Sequence, residues 1–306
     1  MTERTHYDLI IIGAGPAGIT AGIYATRFNL DVLIIEKMNT GGQVNLTSKI
    51  DNFPAFPEIQ GFELSQKFHE HAESLGVNFV FDEVTEVELE NSEKIVHTEY
   101  SGNFSAPCVI LATGARPRQL GVENEENFVG RGVCYCAVCD GGFYKDKDVI
   151  VVGGGNSALE EAFLLKNIAK SVRLVHMLDD FQANASLIEK LKNDDKIIFE
   201  TGVQVSEIKG NEKLESVVIR SVRTGEMKEV SVDGLFVSIG RIPNSEMFGT
   251  QLKKDSNGYI ETNEDMETSL KGVFAVGDVR TKKIRQIVTA CSDGAIASTN
   301  AYFLLK

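Results

Sequence analysis

A glycine-rich segment that occurs twice constrains the fold of this chain most strongly. The segment YDLIIIGAGPAGITAGIYAT begins at Tyr7, and an altered copy, KDVIVVGGGNSALEEAFLL, begins at Lys147. Each copy reads as an apolar strand, a glycine-rich turn and a helix, the pattern of a dinucleotide-binding unit. The glycines that define the two turns are Gly13, Gly15 and Gly18 in the first copy, and Gly153 and Gly155 in the second.

A second internal similarity indicates how the two copies are arranged. The segment CVILATGARP, ending at Pro117, is similar to GLFVSIGRIP, ending at Pro243. The strand GVFAVGDV and a long apolar helix from about Gln286 to Leu305 follow and complete the first copy. We therefore predict an α/β fold with two Rossmann-like three-layer dinucleotide-binding domains, the second inserted in the first. The predicted domains are residues 1–116 with 244–306, and residues 117–243.

Two further features complete the predicted organisation. The alternating segment from Val77 to Phe104 predicts a β-rich meander within the first domain. No apolar run approaches the roughly 18 residues that a membrane span requires, so we expect a soluble protein that is not exported. The net charge of −13 disfavours nucleic acid and anionic membranes as partners.

The first glycine-rich turn predicts a dinucleotide site. Glycines there allow backbone N–H groups and a helix N-terminus to approach a pyrophosphate without obstructing side chains. Glu36 ends the next apolar strand, 23 positions after Gly13. An acid at that place can accept hydrogen bonds from both ribose hydroxyls.

Two closely spaced cysteines predict redox chemistry. Cys136 and Cys139 are separated by two residues, and Asp140 follows directly. Such a pair can form a redox disulfide in which the surroundings activate one thiolate, and the adjacent carboxylate can manage a proton. Zinc bound by Cys134, Cys136 and Cys139 is the competing interpretation. A structural zinc site needs a fourth ligand, which the sequence does not offer in a matching motif, so we predict no metal.

Taken together in their order along the chain, these motifs resemble the low-molecular-weight thioredoxin reductases. The resemblance covers essentially the whole length and rests on GAGPAG, GGQ, DNFPAF, ATG, CAVCD, GGGNSALEE, GVFAVGDV and IRQ. It implies an FAD domain interrupted by a pyridine-nucleotide domain, in a cytoplasmic homodimer that reduces thioredoxin or a thioredoxin-like protein. The family normally has a small residue at the position of Cys134.

The resemblance also implies roles for individual residues. Cys139 would receive electrons from reduced flavin, Cys136 would attack the substrate disulfide, and Asp140 would be the general acid. The residues implied in FAD binding are Gly13, Gly15, Pro16, Ala17, Gly18, Glu36, Gly42, Gln43, Asn52, Thr113, Gly114, Gly277, Asp278, Arg285, Gln286 and Ile287. Those implied in a possible nucleotide site are Gly153, Gly155, Asn156 and Ser157.

The segment after the second turn departs from the family. NADPH-using members have arginines after a histidine that corresponds to His176, and these clamp the 2′-phosphate. This chain instead reads HMLDDFQ from His176 to Gln182, which brings in Asp179 and Asp180. A 2′-phosphate beside two carboxylates without an arginine partner would be repelled. We therefore expect an electron donor other than NADPH.

Several alternatives for the donor and the function stay open at this stage. NADH requires only the retained turn, with Asp179 as a candidate ribose ligand. A ferredoxin donor would need a basic docking surface, for which Lys282, Lys283 and Arg285 are candidates. Conventional NADPH use would require Arg173, Lys190 or Lys192 to reach the phosphate. A non-catalytic flavin and disulfide redox sensor is the remaining alternative.

Overall fold

The computed structural model describes residues 5–47 and 50–306, and it divides into two compact units. The first comprises Met1–Arg116 with Ile242–Lys306, and the second is Pro117–Arg241. Ile242 and Pro243 therefore group with the first unit, two residues away from the boundary predicted at residue 243. Within the described part of the chain, no helix has both the length and the apolar character needed to cross a membrane.

The structural elements alternate between strands and helices. Up to the first crossing between units they are β1 Leu9–Ile12, α1 Pro16–Arg27, β2 Val32–Glu36, α2 Gly61–Ser74, β3 Asn78–Phe81, β4 Val84–Glu88, β5 Lys94–Thr98, β6 Asn103–Ala106, β7 Cys108–Leu111 and β8 Ala115–Pro117. Those that follow are β9 Val133–Cys134, α3 Ala137–Asp140, β10 Asp148–Val152, α4 Asn156–Leu165, β11 Ser171–His176, α5 Ala185–Lys192, β12 Ile197–Thr201, β13 Val203–Gly210, β14 Leu214–Ser221, β15 Met227–Ser231, β16 Gly234–Val237 and β17 Arg241–Pro243. The chain ends with β18 Val273–Ala275 and α6 Ile287–Leu305.

The first unit is built on a five-stranded parallel sheet in the order β18-β7-β1-β2-β3. Both faces of this sheet are buried, which explains why β1 is apolar at every position. Leu9 and Ile11 pack with residues of α1 and α6, whereas Ile10 and Ile12 pack with residues of the antiparallel β4–β6 sheet. The unit therefore has three layers, with helices on one face and the small sheet on the other.

The second unit repeats this three-layer design. Its parallel sheet has the order β12-β11-β10-β16-β9. Val149 and Val151 face the layer that contains α4 and α5, whereas Ile150 and Val152 face the antiparallel β13–β15 sheet. The predicted fold class, two Rossmann-like three-layer units, is confirmed.

The meander predicted from Val77 to Phe104 is correct only in its later part. Asn78–Phe81 pairs in parallel with β2 as the edge strand of the main sheet, and the antiparallel layer begins at Val84. The alternating pattern misled the prediction because a parallel edge strand, like a strand of a meander, leaves alternate positions exposed. Period alone does not reveal which partner a strand chooses.

Close contact between α1 and α6 depends on a glycine. Gly294 is buried on α6, and a Cβ atom there would overlap the carbonyl oxygen of Ala17 and lie 3.0 Å from the amide nitrogen of Ala21. The neighbouring Ser298 hydroxyl donates a hydrogen bond to the Ala21 carbonyl oxygen at 2.7 Å. The two helices therefore meet backbone to backbone.

We expect Gly294→Ala to lower the free energy of unfolding by about 1–3 kcal/mol, because the added methyl group forces α6 away from α1. Urea denaturation followed by circular dichroism measures this change. Ser292→Ala, at an exposed position on the same helix, is the control and should have little effect. A Gly294→Ala protein as stable as the parent would contradict the close packing.

Candidate active site

The first glycine-rich turn leads from β1 into α1. Gly13 has a φ of 104°, and a Cβ at Gly18 would overlap the carbonyl oxygen of Gly13, so both positions require glycine. Gly15 differs, because its φ is −72° and a Cβ there would meet no protein atom within 4 Å. Pro16 and Ala17 then begin α1, whose first amides have no side-chain cap. The space over Gly15 and the free helix end fit a pyrophosphate.

Glu36, at the end of β2, is fixed by this turn. Its two carboxylate oxygens accept hydrogen bonds from the backbone N–H groups of Ala14, at 2.7 Å, and Met38, at 3.1 Å. A carboxylate oxygen has two lone pairs, so both oxygens can still accept a ribose hydroxyl. Gly42 also reaches this place, since a Cβ added there would lie 3.6 Å from the Cα of Gly15.

Several other residues predicted for FAD binding contact one another. The Asn52 side-chain amide donates to the Gln286 side-chain oxygen at 3.2 Å, although 234 positions separate the two residues. The Gln43 amide donates to the Ala115 carbonyl oxygen. The Thr113 hydroxyl donates to the Asn244 carbonyl oxygen at 2.6 Å. The amides and hydroxyls that the prediction grouped are therefore held by contacts within the first unit.

The turn at Gly277, Asp278 and Val279 is fixed by a buried ion cluster that the sequence analysis missed. Asp293, on α6, accepts a hydrogen bond from the Gly277 N–H at 3.0 Å, from Arg280 Nε at 2.9 Å and from Lys282 Nζ at 2.7 Å. These cations hold the pKa of the Asp293 carboxyl below its usual value, against the opposing effect of burial. Asp293 was read as one polar residue in an apolar helix, and no motif marked it.

The basic cluster proposed as a docking surface is wrong for two of its three members. The Lys282 side chain is only 8% exposed because it pairs with Asp293. The Arg285 guanidinium lies over the Tyr259 ring, 4.3 Å from its centroid. Only Lys283 is fully on the surface. Buried or stacked cations offer little charge to an acidic partner, so this segment does not form the predicted patch.

The redox pair lies at the beginning of α3, in the second unit. Cys136 and Cys139 form a disulfide with their Cα atoms 5.3 Å apart. The Cys139 N–H donates a hydrogen bond to the sulfur of Cys136 at 3.2 Å. Val138, between them, is 58% exposed. The disulfide occupies two of the thiols that the zinc interpretation required, and among the described residues no group of three or more potential ligands could hold a metal ion.

Two carboxyl groups beside the disulfide hold protons unusually tightly. Removal from water raises the pKa of Asp140 to about 6. The same cause raises the pKa of Glu161, on α4, to about 7, although nearby Arg241 opposes the shift. Glu161 also accepts a hydrogen bond from the Ala137 N–H, at the beginning of α3. An acid with a pKa near the working pH is suited to proton transfer. The sequence indicated Asp140 but gave no signal for Glu161.

The second glycine-rich turn keeps the form of the first. Gly153 has a φ of 148°, whereas at Gly155 the φ is −88° and an added Cβ would again meet no protein atom within 4 Å. Asn156 and Ser157 begin α4 and are exposed. The space for a pyrophosphate is therefore present here as well.

His176 occupies the place where an acid usually stands, and its ring is buried over the second turn. A Cβ at Gly154 would overlap this ring. The ring stacks on Phe181 with centroids 5.3 Å apart, and its Nε2 is 3.1 Å from the Gln182 side-chain oxygen. The Gln182 N–H also donates to the Gly154 carbonyl oxygen at 2.8 Å. The HMLDDFQ segment is thus packed onto the turn.

The cations near this turn differ from those anticipated. Arg173 pairs with Glu200 on the adjacent strand β12, so its charge is already used. Asp179 instead pairs with Arg223, in the β14–β15 hairpin, and the Arg223 side chain is 74% exposed. Sequence analysis missed Arg223 because 44 positions separate it from Asp179. No local pattern joins them.

Comparison with known proteins agrees with this geometry. The family model for pyridine nucleotide-disulphide oxidoreductase matches residues 7–294. A thioredoxin reductase of Bacillus subtilis is 44% identical over 299 residues, covering 97% of this chain and 94% of that protein. A 34.2 kDa protein in the rubredoxin operon of Clostridium pasteurianum is 44% identical over 304 residues, covering 98% of each. The crystal structure of thioredoxin reductase from Streptococcus pyogenes superposes with a TM-score of 0.93 at 44% identity, covering 98% of both chains.

A redox disulfide on a fold of two dinucleotide-binding units defines a flavoprotein disulfide oxidoreductase. The chain belongs to the pyridine nucleotide-disulphide oxidoreductase family, as a thioredoxin-reductase-like enzyme with the Cys136–Cys139 pair. The resemblance inferred from the sequence is confirmed. Membership implies FAD and a pyridine nucleotide as cofactors.

The open space above each turn gives a matched pair of variants. We expect Gly15→Ala to fold normally but to lose most of its flavin, because the methyl group enters space that only a ligand can occupy. Gly155→Ala, the equivalent change in the second unit, should retain its flavin. The ratio of flavin to protein absorbance after purification measures both, and equal, full flavin content in the two variants would contradict the assignment of the first turn.

Proposed function

We propose that this protein passes electrons from NADH through FAD and the Cys136–Cys139 disulfide to a thioredoxin or thioredoxin-like protein. The disulfide beside Asp140, a carboxyl group with a raised pKa, is the observation that carries this proposal. When bound, FAD supplies the two electrons that reduce the disulfide. Gly13, Gly15 and Glu36 would hold its adenosine diphosphate part, and Asn52 and Gln286 are the proposed contacts to its ring.

The two cysteines have different proposed roles. The Cys136 thiolate attacks one sulfur of the acceptor disulfide, which forms a mixed disulfide and releases a thiolate that takes a proton from Asp140. Cys139 then attacks Cys136, which re-forms their disulfide and releases the reduced acceptor. The hydrogen bond from the Cys139 N–H to the Cys136 sulfur supports this order, because it stabilises a thiolate at Cys136.

The surroundings of the second turn support NADH as the donor. The space at Gly155 suits a pyrophosphate, which favours a nucleotide over a ferredoxin. A 2′-phosphate would meet Asp179 and Asp180, and the Arg223 charge beside them is neutralised by Asp179. NADH has only a hydroxyl at that place, which a carboxylate accepts well. Homodimer formation and a cytoplasmic location stay predictions from the family resemblance.

Replacing one cysteine tests the acceptor half of the reaction. We expect Cys136→Ser to lose thioredoxin reduction by at least about a thousandfold while it retains its flavin, because the serine hydroxyl is a far poorer nucleophile than a thiolate. Cys108→Ser is the control, since Cys108 is a buried thiol of the first unit. Thioredoxin reduction at the parent rate by Cys136→Ser would refute the proposed function.

Anaerobic titration tests the donor half. Stoichiometric NADH should bleach the flavin absorbance, and NADPH should do so at least about ten times more slowly, because an unpaired 2′-phosphate is repelled. We expect Asp179→Asn to narrow this difference, since it removes one negative charge and frees the Arg223 guanidinium.

The opposite result would also be informative. If NADPH bleaches the parent as fast as NADH and Arg223→Ala abolishes only the NADPH reaction, then Arg223 holds the 2′-phosphate and the NADH proposal is wrong. Arg220→Ala, which removes an exposed arginine of the same hairpin, is the matched control. Bleaching by a reduced ferredoxin alone would assign the donor to a protein.

A further inference from the structure

Cys134, the third cysteine of the CYCAVC run, is buried next to the redox pair. It ends β9, two positions before Cys136, and it is a free thiol. Removal from water raises its pKa to about 12. At neutral pH it is therefore protonated, so it is a hydrogen-bond donor and not a nucleophile that competes for the neighbouring disulfide.

The Cys134 thiol joins two other buried groups. Its sulfur lies 3.2 Å from the Tyr144 hydroxyl oxygen, and it also hydrogen bonds to the Asp140 carboxylate. The bond to Asp140 favours the ionised carboxylate, since it lowers the pKa of Asp140 against the larger effect of burial. This direction requires the thiol to donate to Asp140, which leaves its sulfur to accept from the Tyr144 hydroxyl.

Packing fixes the direction of this chain of hydrogen bonds. The Tyr144 ring meets the Phe236 ring edge to face, with centroids 5.1 Å apart. A Cβ at Gly234 would overlap the Tyr144 ring, so this glycine lets the ring lie directly on β16. The Tyr144 hydroxyl is thereby held against Cys134, and Cys134 against Asp140.

The other charged groups around this chain are carboxyls and one arginine. Glu161 faces Asp140 from α4, and Arg241 in turn faces Glu161. Asp233 faces Tyr144. Two neighbouring carboxyls disfavour double ionisation, so the donor from Cys134 offsets part of the cost of a charge on Asp140.

We propose that Cys134, held by Tyr144, is a positioning residue that sets the pH range over which Asp140 delivers its proton. The inference rests on the proposed role of Asp140 as the acid. In that step the Asp140 O–H bond breaks, an S–H bond forms on the leaving thiolate, and the carboxylate left behind accepts the Cys134 hydrogen bond until it regains a proton from water. No electron passes through Cys134.

Substitutions at Cys134 should act in opposite directions. Cys134→Ala removes the donor and should raise the protonation midpoint of Asp140 by about half to one pH unit. Cys134→Ser supplies a stronger donor and should lower it. Tyr144→Phe should act like Cys134→Ala but more weakly, because it removes only the group that orients the thiol. Cys108→Ala, which removes a buried thiol from the first unit, should leave the midpoint unchanged.

Infrared difference spectra of the flavin-loaded protein across pH measure this midpoint directly. The band of the protonated Asp140 carboxyl is assigned by its loss in Asp140→Asn. The pH profile of kcat/KM for thioredoxin reduction is the second readout, and its alkaline limb should move with the infrared midpoint in each variant.

The outcomes separate this inference from the proposed function. An unchanged infrared midpoint in folded Cys134→Ala and Cys134→Ser proteins would overturn the inference whatever the activity. A midpoint that moves without the pH profile would overturn it as well, because Asp140 would then not be the acid. Absence of thioredoxin reduction by the parent protein would overturn the proposed function, and the infrared titration would still decide whether Cys134 controls Asp140.

Discussion

Burial of both faces of two parallel sheets is the constraint on which this structure depends. A parallel sheet has no face for water, so β1 and β10 direct successive apolar side chains alternately to a helical layer and to a small antiparallel sheet. The same connection brings each glycine-rich turn to the carboxyl end of its strand and to a helix N-terminus. Ligand space thus arises where the core ends.

Exclusion of water also accounts for the chemistry of the second unit. Asp140 and Glu161 lie where ionisation is costly, so both keep protons at a pH where exposed carboxyls have lost them. The first unit shows the opposite solution at Asp293, where two cations and a backbone N–H keep a buried carboxylate charged. One acid is available for proton transfer, and the other holds a turn in place.

Local sequence predicted the parts of the site that depend on short spacing. Gly13, Gly18 and Glu36 take part in one strand–turn–helix–strand unit, and Cys136 and Cys139 lie within one helical turn, so their separation in sequence fixes their geometry. The partner of Asn78–Phe81 and the burial of Lys282 were mispredicted, because both depend on which element packs beside them.

The sequence by itself determined the duplicated three-layer fold, the redox pair and the loss of the arginines after His176, because each is written in a short pattern of apolar, glycine and cysteine positions. Only the tertiary structure decided that Asp179 pairs with Arg223, that Glu161 meets α3 and that Cys134 lies between Tyr144 and Asp140. These contacts join different elements, and the packing of whole sheets and hairpins sets their distances.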